Sequence, residues 1–221
     1  MTSASDPSVL NAQQQHWESR LSAKPDMFGL EPSESAIAAE TIFAKEGVAA
    51  LLELGAGQGR DTLFFAENGL DITALDYTDS SFTTICSKAE GSDGSVSCVG
   101  HDVRVPLPFP DASFDACYSH MLFCMALTTD ELEELVAQVH RVVRPGGLVT
   151  YTARTTKDAH FEAGIDRGDD MYEHGGFIVH FFSPELIEHL ADGFDIIDQF
   201  EFEEAWLPRR LVSVTMRKRD I

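Results

Sequence analysis

The sequence predicts an α/β protein built on a mostly parallel seven-stranded sheet with helices on both faces and a C-terminal antiparallel strand pair. Three observations carry this. Short apolar runs alternate with helical stretches and short loops between residues 48 and 153, a pattern that makes a parallel sheet covered on both sides. The run Ala49-Ala50-Leu51-Leu52 is apolar without alternation, as a strand buried on both faces requires. The last third instead holds two strand-like runs, 194–202 and 211–216, and the second alternates apolar and polar residues, which fits an antiparallel pair at a sheet edge.

The elements follow in order. Residues 9–21 form a short helix carrying Trp17 and Leu21, and Pro25, Gly29 and Pro32 punctuate the loop after it. Ser33 suits the N-cap of a helix reaching about residue 45, closed by Gly47. The first strand spans 48–54 and runs into glycines. A helix over 60–68 is stopped by Gly69, and a second strand covers 71–76. Residues 80–89 are helical, 91–94 are a polar turn, and strands cover 96–100 and 114–119. Residues 129–141 form a strongly amphipathic helix with Leu132, Leu135, Val136 and Val139 on one face. Pro145-Gly146-Gly147 turns into a fifth strand, 148–153. Ser183 caps a late helix with Pro184 at its first position, and Pro208 lies between the final two strands.

Composition narrows the partners. With 16 Lys and Arg against 37 Asp and Glu, the net charge is −21, a surface that repels phosphate backbones and anionic membranes. No apolar run is long enough to cross a bilayer, and the first seven residues lack the basic and apolar regions of a signal peptide. Cys86, Cys98, Cys117 and Cys124 form no CxxC pair, so no metal site is indicated and the reading is buried free thiols in a reducing cytoplasm.

The strongest motif is Glu53-Leu54-Gly55-Ala56-Gly57-Gln58-Gly59-Arg60-Asp61, which leaves a strand and opens a helix. Glycines there let the backbone turn tightly and approach a ligand. A dinucleotide fingerprint needs its third glycine at position 60, where this chain has Arg60. Asp76 ends the second strand, 17 residues after Gly59, where a carboxylate can accept from both hydroxyls of a ribose. Asp102 follows the third strand, where it can accept from the exocyclic amine of adenine. Three successive strand ends thus carry groups suited to one adenosine-bearing ligand.

These residues resemble the class I S-adenosylmethionine-dependent methyltransferases, a Rossmann-like family. The resemblance covers 49–153 and the terminal strand pair. It rests on ELGAGQGRD, ITALDYT, HDVRVPLPFPDASFDACYSHMLF and VHRVVRPGGLVTYTAR. A looser similarity, through HWESRLSAKPDMFGLEPSESA together with GQGRD, is to the tellurite-resistance and thiopurine methyltransferase branch. It implies S-adenosyl-L-methionine as cofactor. Gly55, Ala56, Gly57, Gly59 and Arg60 would lie at the methionine end, with Glu53 holding the ammonium. Asp76 and Tyr77 would hold the ribose, Asp102 and Val103 would flank the adenine, and Ser119, His120 and Met121 would sit near the sulfonium. The branch similarity makes Trp17, Arg20, Met27, Phe28 and Gly29 pocket candidates. The implied organisation is a disordered tail, 1–8, and a single domain, 9–221. The domain divides into a helical cap (9–46), a cofactor-binding core (48–153), an acceptor lid (154–182) and a C-terminal helix and strand pair (183–221).

Methyl transfer from a sulfonium needs alignment and exclusion of water, and a base only for acceptors that must lose a proton. His120 is the candidate base by position, and His174 and His180 lie in the expected lid. Arg154, Arg209 and Arg210 could pair with an anionic acceptor, although surface ion pairing is the plainer expectation. SHMLFC after the fourth strand lacks the Asn/Asp-Pro-Pro-aromatic motif of amino-methylating nucleic-acid enzymes. The expectation is therefore a small-molecule acceptor, with sulfur, oxygen, nitrogen and oxyanions all open, and no nucleic acid or membrane partner. A nucleotide-linked oxidoreductase and a non-catalytic adenosine-ligand-binding protein are the alternatives.

Overall fold

The computed structural model describes residues 7–24, 26–204 and 209–220. Residues 1–6 of the expected tail, Pro25 and Pro208 lie outside the described residues, and residue 7 already opens the first helix.

The elements run α1 (Pro7–Ala23), α2 (Glu34–Glu46), β1 (Ala50–Leu54), α3 (Arg60–Glu67), β2 (Asp71–Asp76), α4 (Phe82–Lys88), β3 (Val96–Gly100), β4 (Phe114–Ser119), α5 (Thr129–Val142), β5 (Val143–Arg154), β6 (Ile165–Gly168), β7 (Met171–His174), β8 (Phe177–His180), α6 (Pro184–Leu190), β9 (Phe194–Glu203) and β10 (Arg210–Lys218). Seven strands form one sheet in the order β3-β2-β1-β4-β5-β10-β9. The first five pair in parallel, and β10 runs antiparallel to both β5 and β9.

The apolar run 50–52 that opens β1 has its reason in the layers. Leu51 points into a core with Phe43 of α2, Phe65 of α3 and Ile72 of β2. Leu52 and Leu54 point the other way, into a core with Leu135 and Val139 of α5, Phe123 and Tyr151. Successive strand residues face opposite sides, so apolar residues fall on both faces when both sides are helix-covered, with Glu53 the exception near the strand's end. The Phe123 and Tyr151 rings stack at 4.7 Å. Helix α5 starts where Thr128 and Glu131 form a reciprocal capping box, and its apolar stripe is buried as its spacing implies.

Three expectations are corrected. The Pro145-Gly146-Gly147 turn is a bulge inside β5: Phe114 pairs with Val143 but Ala116 with Leu148. Gly146 takes a left-handed φ of 70°, and a side chain on Gly147 would meet the Asp115 carbonyl at 2.6 Å. Residues 165–180, expected only as part of the acceptor lid, form a separate three-stranded antiparallel sheet, β6-β7-β8. Helix α1 clamps it: Gln13 donates to the Gly176 carbonyl at 3.0 Å and accepts from the Ile178 amide at 3.3 Å. Of the four cysteines only Cys117 and Cys124 are buried; Cys86 is exposed, and its sulfur lies 3.2 Å from that of half-buried Cys98.

One buried carboxylate joins three elements. Asp61, in the first turn of α3, accepts from the Ser33 amide at 2.7 Å, the Ser33 hydroxyl at 2.8 Å and the Tyr118 hydroxyl at 3.0 Å. Ser33 is also the N-cap of α2, where its hydroxyl receives the Ala36 amide. Asp61→Ala strands these donors in a dry interior and is expected to lower the free energy of unfolding by about 3 kcal/mol, read from urea unfolding curves.

Candidate active site

Strand order runs outward in opposite directions from β1 and β4, so a crevice opens at their carboxyl ends. A cavity of about 300 Å3 lies there. At one end is the glycine loop. Gly55, Gly57 and Gly59 have φ of 78°, 53° and 80°, the left-handed region that glycine occupies without strain. A side chain on Gly55 would meet Leu122 Cβ at 2.8 Å, and one on Gly59 would meet Ile85 at 2.5 Å, whereas Gly57 faces open space. The Gly57 amide donates to Asp76 Oδ2 at 2.8 Å. Asp76 Oδ1 accepts from the Thr78 amide and hydroxyl, both at 2.8 Å. Burial raises the Asp76 pKa against these bonds, and burial with the Asp76 charge raises that of Tyr77.

Glu53 is almost wholly buried and accepts from the Thr62 hydroxyl. Burial pushes its carboxyl up to about 8, helped by the charges of Asp61 and Asp76 and opposed by the Thr62 bond. Asp102 grips Arg104 through Nε, Nη2 and the backbone amide. Burial works the other way, but Arg104 holds its carboxyl below the usual range, so an adenine amine would compete with Arg104 for its lone pairs. Gln58, on the cavity wall, has a buried Oε1 without a hydrogen-bond partner among the described residues.

The other end is a polar ring set in aromatic walls. Arg60 donates to the Phe28 carbonyl at 2.9 Å and to Glu204 Oε1 at 3.0 Å, and its Nη2 lies 3.1 Å from His120 Nε2. His120 Nδ1 bonds the Thr152 hydroxyl at 3.0 Å. Burial would raise the Glu204 carboxyl, yet His120 and Arg60 bring it down to about 2. Arg209 reaches Glu204 Oε2 at 3.4 Å. Arg154 is buried, forks onto Asp158 and sends Nη2 to His160 Nδ1 at 2.9 Å. It is thus an interior ion pair, not the surface pair expected. The ring of His160 stacks on His174 at 4.7 Å. Trp17 packs on Phe177 at 4.6 Å and lies 6.4 Å from Phe28. Met121 sits beside His120 with φ of 69°, a costly conformation for a non-glycine residue, held by its amide bond to the Thr152 hydroxyl.

Most of the sequence candidates meet in this cavity. Glu53, Gly55, Ala56, Gly57 and Arg60 line it, as do Asp76, Tyr77, Asp102 and Val103. Trp17, Met27, Phe28, His120, Met121, Arg154 and His174 line the remainder. Four candidates do not line the cavity. Ser119 is buried between strands, donating to the Leu54 carbonyl. Gly59 caps α3 behind the loop. Gly29 is exposed outside the wall. Arg20 lies outside the cavity, with its guanidinium 5.6 Å above the Phe177 ring. His180 is buried on the Leu127 carbonyl and serves the fold. Sequence reasoning missed Glu204, His160, Phe177, Phe181 and Tyr172, whose only advance signal was membership of late polar-aromatic segments.

Residues 52–151 match the family model described as a methyltransferase domain. The chain thus carries a methyltransferase domain over a little under half of its length. Among curated methyltransferases it is similar to the malonyl-[acyl-carrier protein] O-methyltransferase of Pseudescherichia vulneris, 30% identical over 117 residues. That stretch is 52% of this chain and 43% of the relative, so the chain spans less than half the length of that curated protein. A solved methyltransferase, the 1,6-didemethyltoxoflavin-N1-methyltransferase of Burkholderia thailandensis with 1,6-didemethyltoxoflavin and S-adenosylhomocysteine bound, superposes with a TM-score of 0.75. The match covers 100% of this chain and 92% of that one at 19% identity. TehB from Haemophilus influenzae gives a TM-score of 0.64 at 17% identity, covering 92% of this chain and 67% of its own. At these identities the structural likeness is one of fold.

The raised pKa of Glu53 has a measurable sign. Above its ordinary value of 4.5 the unfolded chain loses a proton that the fold retains up to about 8. This group therefore subtracts stability progressively as pH rises through that window. In Glu53→Gln the melting temperature relative to the parent should climb from pH 5 to pH 8 by calorimetry. A constant offset would show Glu53 ionised in the fold.

Proposed function

We propose that this methyltransferase moves a methyl group from S-adenosylmethionine to a small-molecule acceptor. One observation carries the reading: a single cavity runs from the strand ends at Asp76 and Asp102, past the glycine loop, to a polar ring walled by aromatic residues. The glycine loop leaves open space at Gly57, and Gln58, whose buried Oε1 is unpartnered among the described residues, lines the same cavity, so the residues fit an adenosyl ligand rich in donors. The cofactor supplies a methyl group made electrophilic by its sulfonium.

In this reading each residue has a physical task. Asp76 accepts from the ribose hydroxyls, and Tyr77 closes that side. Val103 packs on the adenine beside Asp102. Glu53, protonated when the site is empty, releases its proton as it receives the cofactor's ammonium. Gly55, Ala56 and Gly57 give the methionine end close backbone approach, with Arg60 alongside. His120 has both ring nitrogens engaged, so its task is to position Arg60 and Glu204, not to abstract a proton. The sheet β6-β7-β8, held by α1 through Gln13, acts as the lid that keeps water from the acceptor.

A small acceptor follows from the cavity's size and from its walls of Trp17, Phe28 and Phe177. A nucleic-acid acceptor is disfavoured by the net charge of −21. Among the described residues no helix is long and apolar enough to cross a membrane. A cytoplasmic setting is part of the same proposal, in keeping with four unbridged thiols.

Calorimetry with S-adenosylmethionine tests the reading. The parent should bind, and Asp76→Ala should weaken binding by about 100-fold, the loss of two charge-assisted hydrogen bonds. Gly57→Val should block the loop. Equal affinity in Asp76→Ala refutes the ribose role. No binding by the parent, or binding without release of S-adenosylhomocysteine across an acceptor panel, refutes methyl transfer.

A further inference from the structure

We infer that the acceptor is a small organic carboxylate with a flat apolar body, held by Arg209 and His160, and that the carboxylate itself takes the methyl; this rests on the methyl-transfer reading above. The first support is an imbalance of partners. Three guanidiniums, those of Arg60, Arg154 and Arg209, line one end of the cavity in a chain of net charge −21. Arg154 has a carboxylate of its own in Asp158. Arg60 and Arg209 divide Glu204 between them, Arg60 at 3.0 Å and Arg209 at 3.4 Å. Asp61, 3.7 Å from Arg60 Nε, is already committed to Ser33 and Tyr118. Arg209 is left with one long, shared contact among the described residues. Burial lowers its pKa, and Glu204 only partly offsets this. A half-buried guanidinium so placed is stabilised by an incoming anion.

The second support is the tautomer of His160. Arg154 can only donate, so His160 Nδ1 must accept from it. A neutral ring then carries its proton on Nε2, a donor with no partner among the described residues, on a residue that lines the cavity. Burial and the neighbouring Arg154 charge lower the pKa of that ring, against Asp158. Arg209 and His160 line the same cavity and supply it with a planar fork and a single donor, the demand that a carboxylate meets.

The third support is the scarcity of bases. Glu204 is paired with Arg60 and Arg209 and is a poor proton acceptor. Both nitrogens of His120 are engaged, and Arg154 takes the lone pair of His160. His174 is exposed at the mouth and stacks on His160. Such a site suits an acceptor that arrives ionised. A lone pair of the carboxylate forms the bond to the methyl carbon, the carbon–sulfur bond breaks, and its pair remains on sulfur. Anion and sulfonium become neutral ester and neutral thioether, and no proton moves. The ester then lacks the charge that held the acid, which favours release. Phe177, Phe181 and Tyr172 supply flat walls for the apolar body.

Calorimetry on the complex with S-adenosylhomocysteine tests this with benzoate and benzamide, equal in shape and different in charge. Benzoate should bind at least about tenfold more tightly, the difference one charge-assisted contact makes. Arg209→Gln should erase that preference without changing affinity for S-adenosylhomocysteine. His160→Gln, which can still accept from Arg154 and donate onward, should keep more of it than His160→Phe. In turnover at saturating cofactor, aromatic carboxylates should release S-adenosylhomocysteine where their amides do not, with kcat/KM level from pH 6 to 9. Equal binding of benzoate and benzamide, or kcat/KM rising tenfold per pH unit, overturns the carboxylate assignment alone. Failure to bind S-adenosylhomocysteine instead removes the methyl-transfer reading beneath it.

Discussion

The arrangement depends first on Asp61. Its carboxylate has lost water and is compensated by three donors from two other parts of the chain, the Ser33 amide and hydroxyl and the Tyr118 hydroxyl. Ser33 begins α2, Asp61 begins α3, and Tyr118 stands on β4. The bond set therefore fixes where the N-terminal segment meets the sheet and how α3 leaves the glycine loop. Arg60, one residue earlier, is then aimed at the Phe28 carbonyl, His120 and Glu204. A structural carboxylate and a cavity-lining guanidinium share one turn of helix, so the packing of the cap and the shape of the cavity are set together.

Much of this was legible in the sequence, for identifiable reasons. Strands β2, β3 and β4 are read to the residue because glycines and polar turns bracket short apolar runs. Helix α5 is legible from its apolar spacing, and the cap at Ser33 from local side-chain chemistry. Asp76 and Asp102 are recognisable because strand ends recur at a predictable interval. The strands of β6-β7-β8 are not: each has four residues, and their pairing depends on glycine turns and on α1, more than 140 residues distant in sequence. Arg20 is a pocket candidate through the branch similarity; it and Trp17, three residues apart on α1, both reach Phe177, but only Trp17 lines the cavity. Glu204 and His160 acquire meaning only from partners such as Arg60 and Arg154, which no local pattern connects to them.

The electrostatics also divide by place. The chain is strongly acidic as a whole, yet the cavity's far end gathers arginines and histidines around few carboxylates. Side chains buried there interact through a medium less polarisable than water, so each unmatched charge counts for more than one on the surface. Global charge governs what approaches the protein; the local excess governs what can remain in the cavity.

The bulge in β5 has a consequence for the far end of that strand. By admitting extra residues between Val143 and Leu148, it sets the phase in which the rest of the strand is read. Thr152 and Arg154 consequently turn toward His120 and Asp158, while Tyr151 and Ala153 fill the apolar layer. Because a strand repeats every two residues, a single deletion among Pro145, Gly146 and Gly147 would exchange those two sets. Three residues at one rim of the sheet thus act as a vernier for chemistry at the opposite rim.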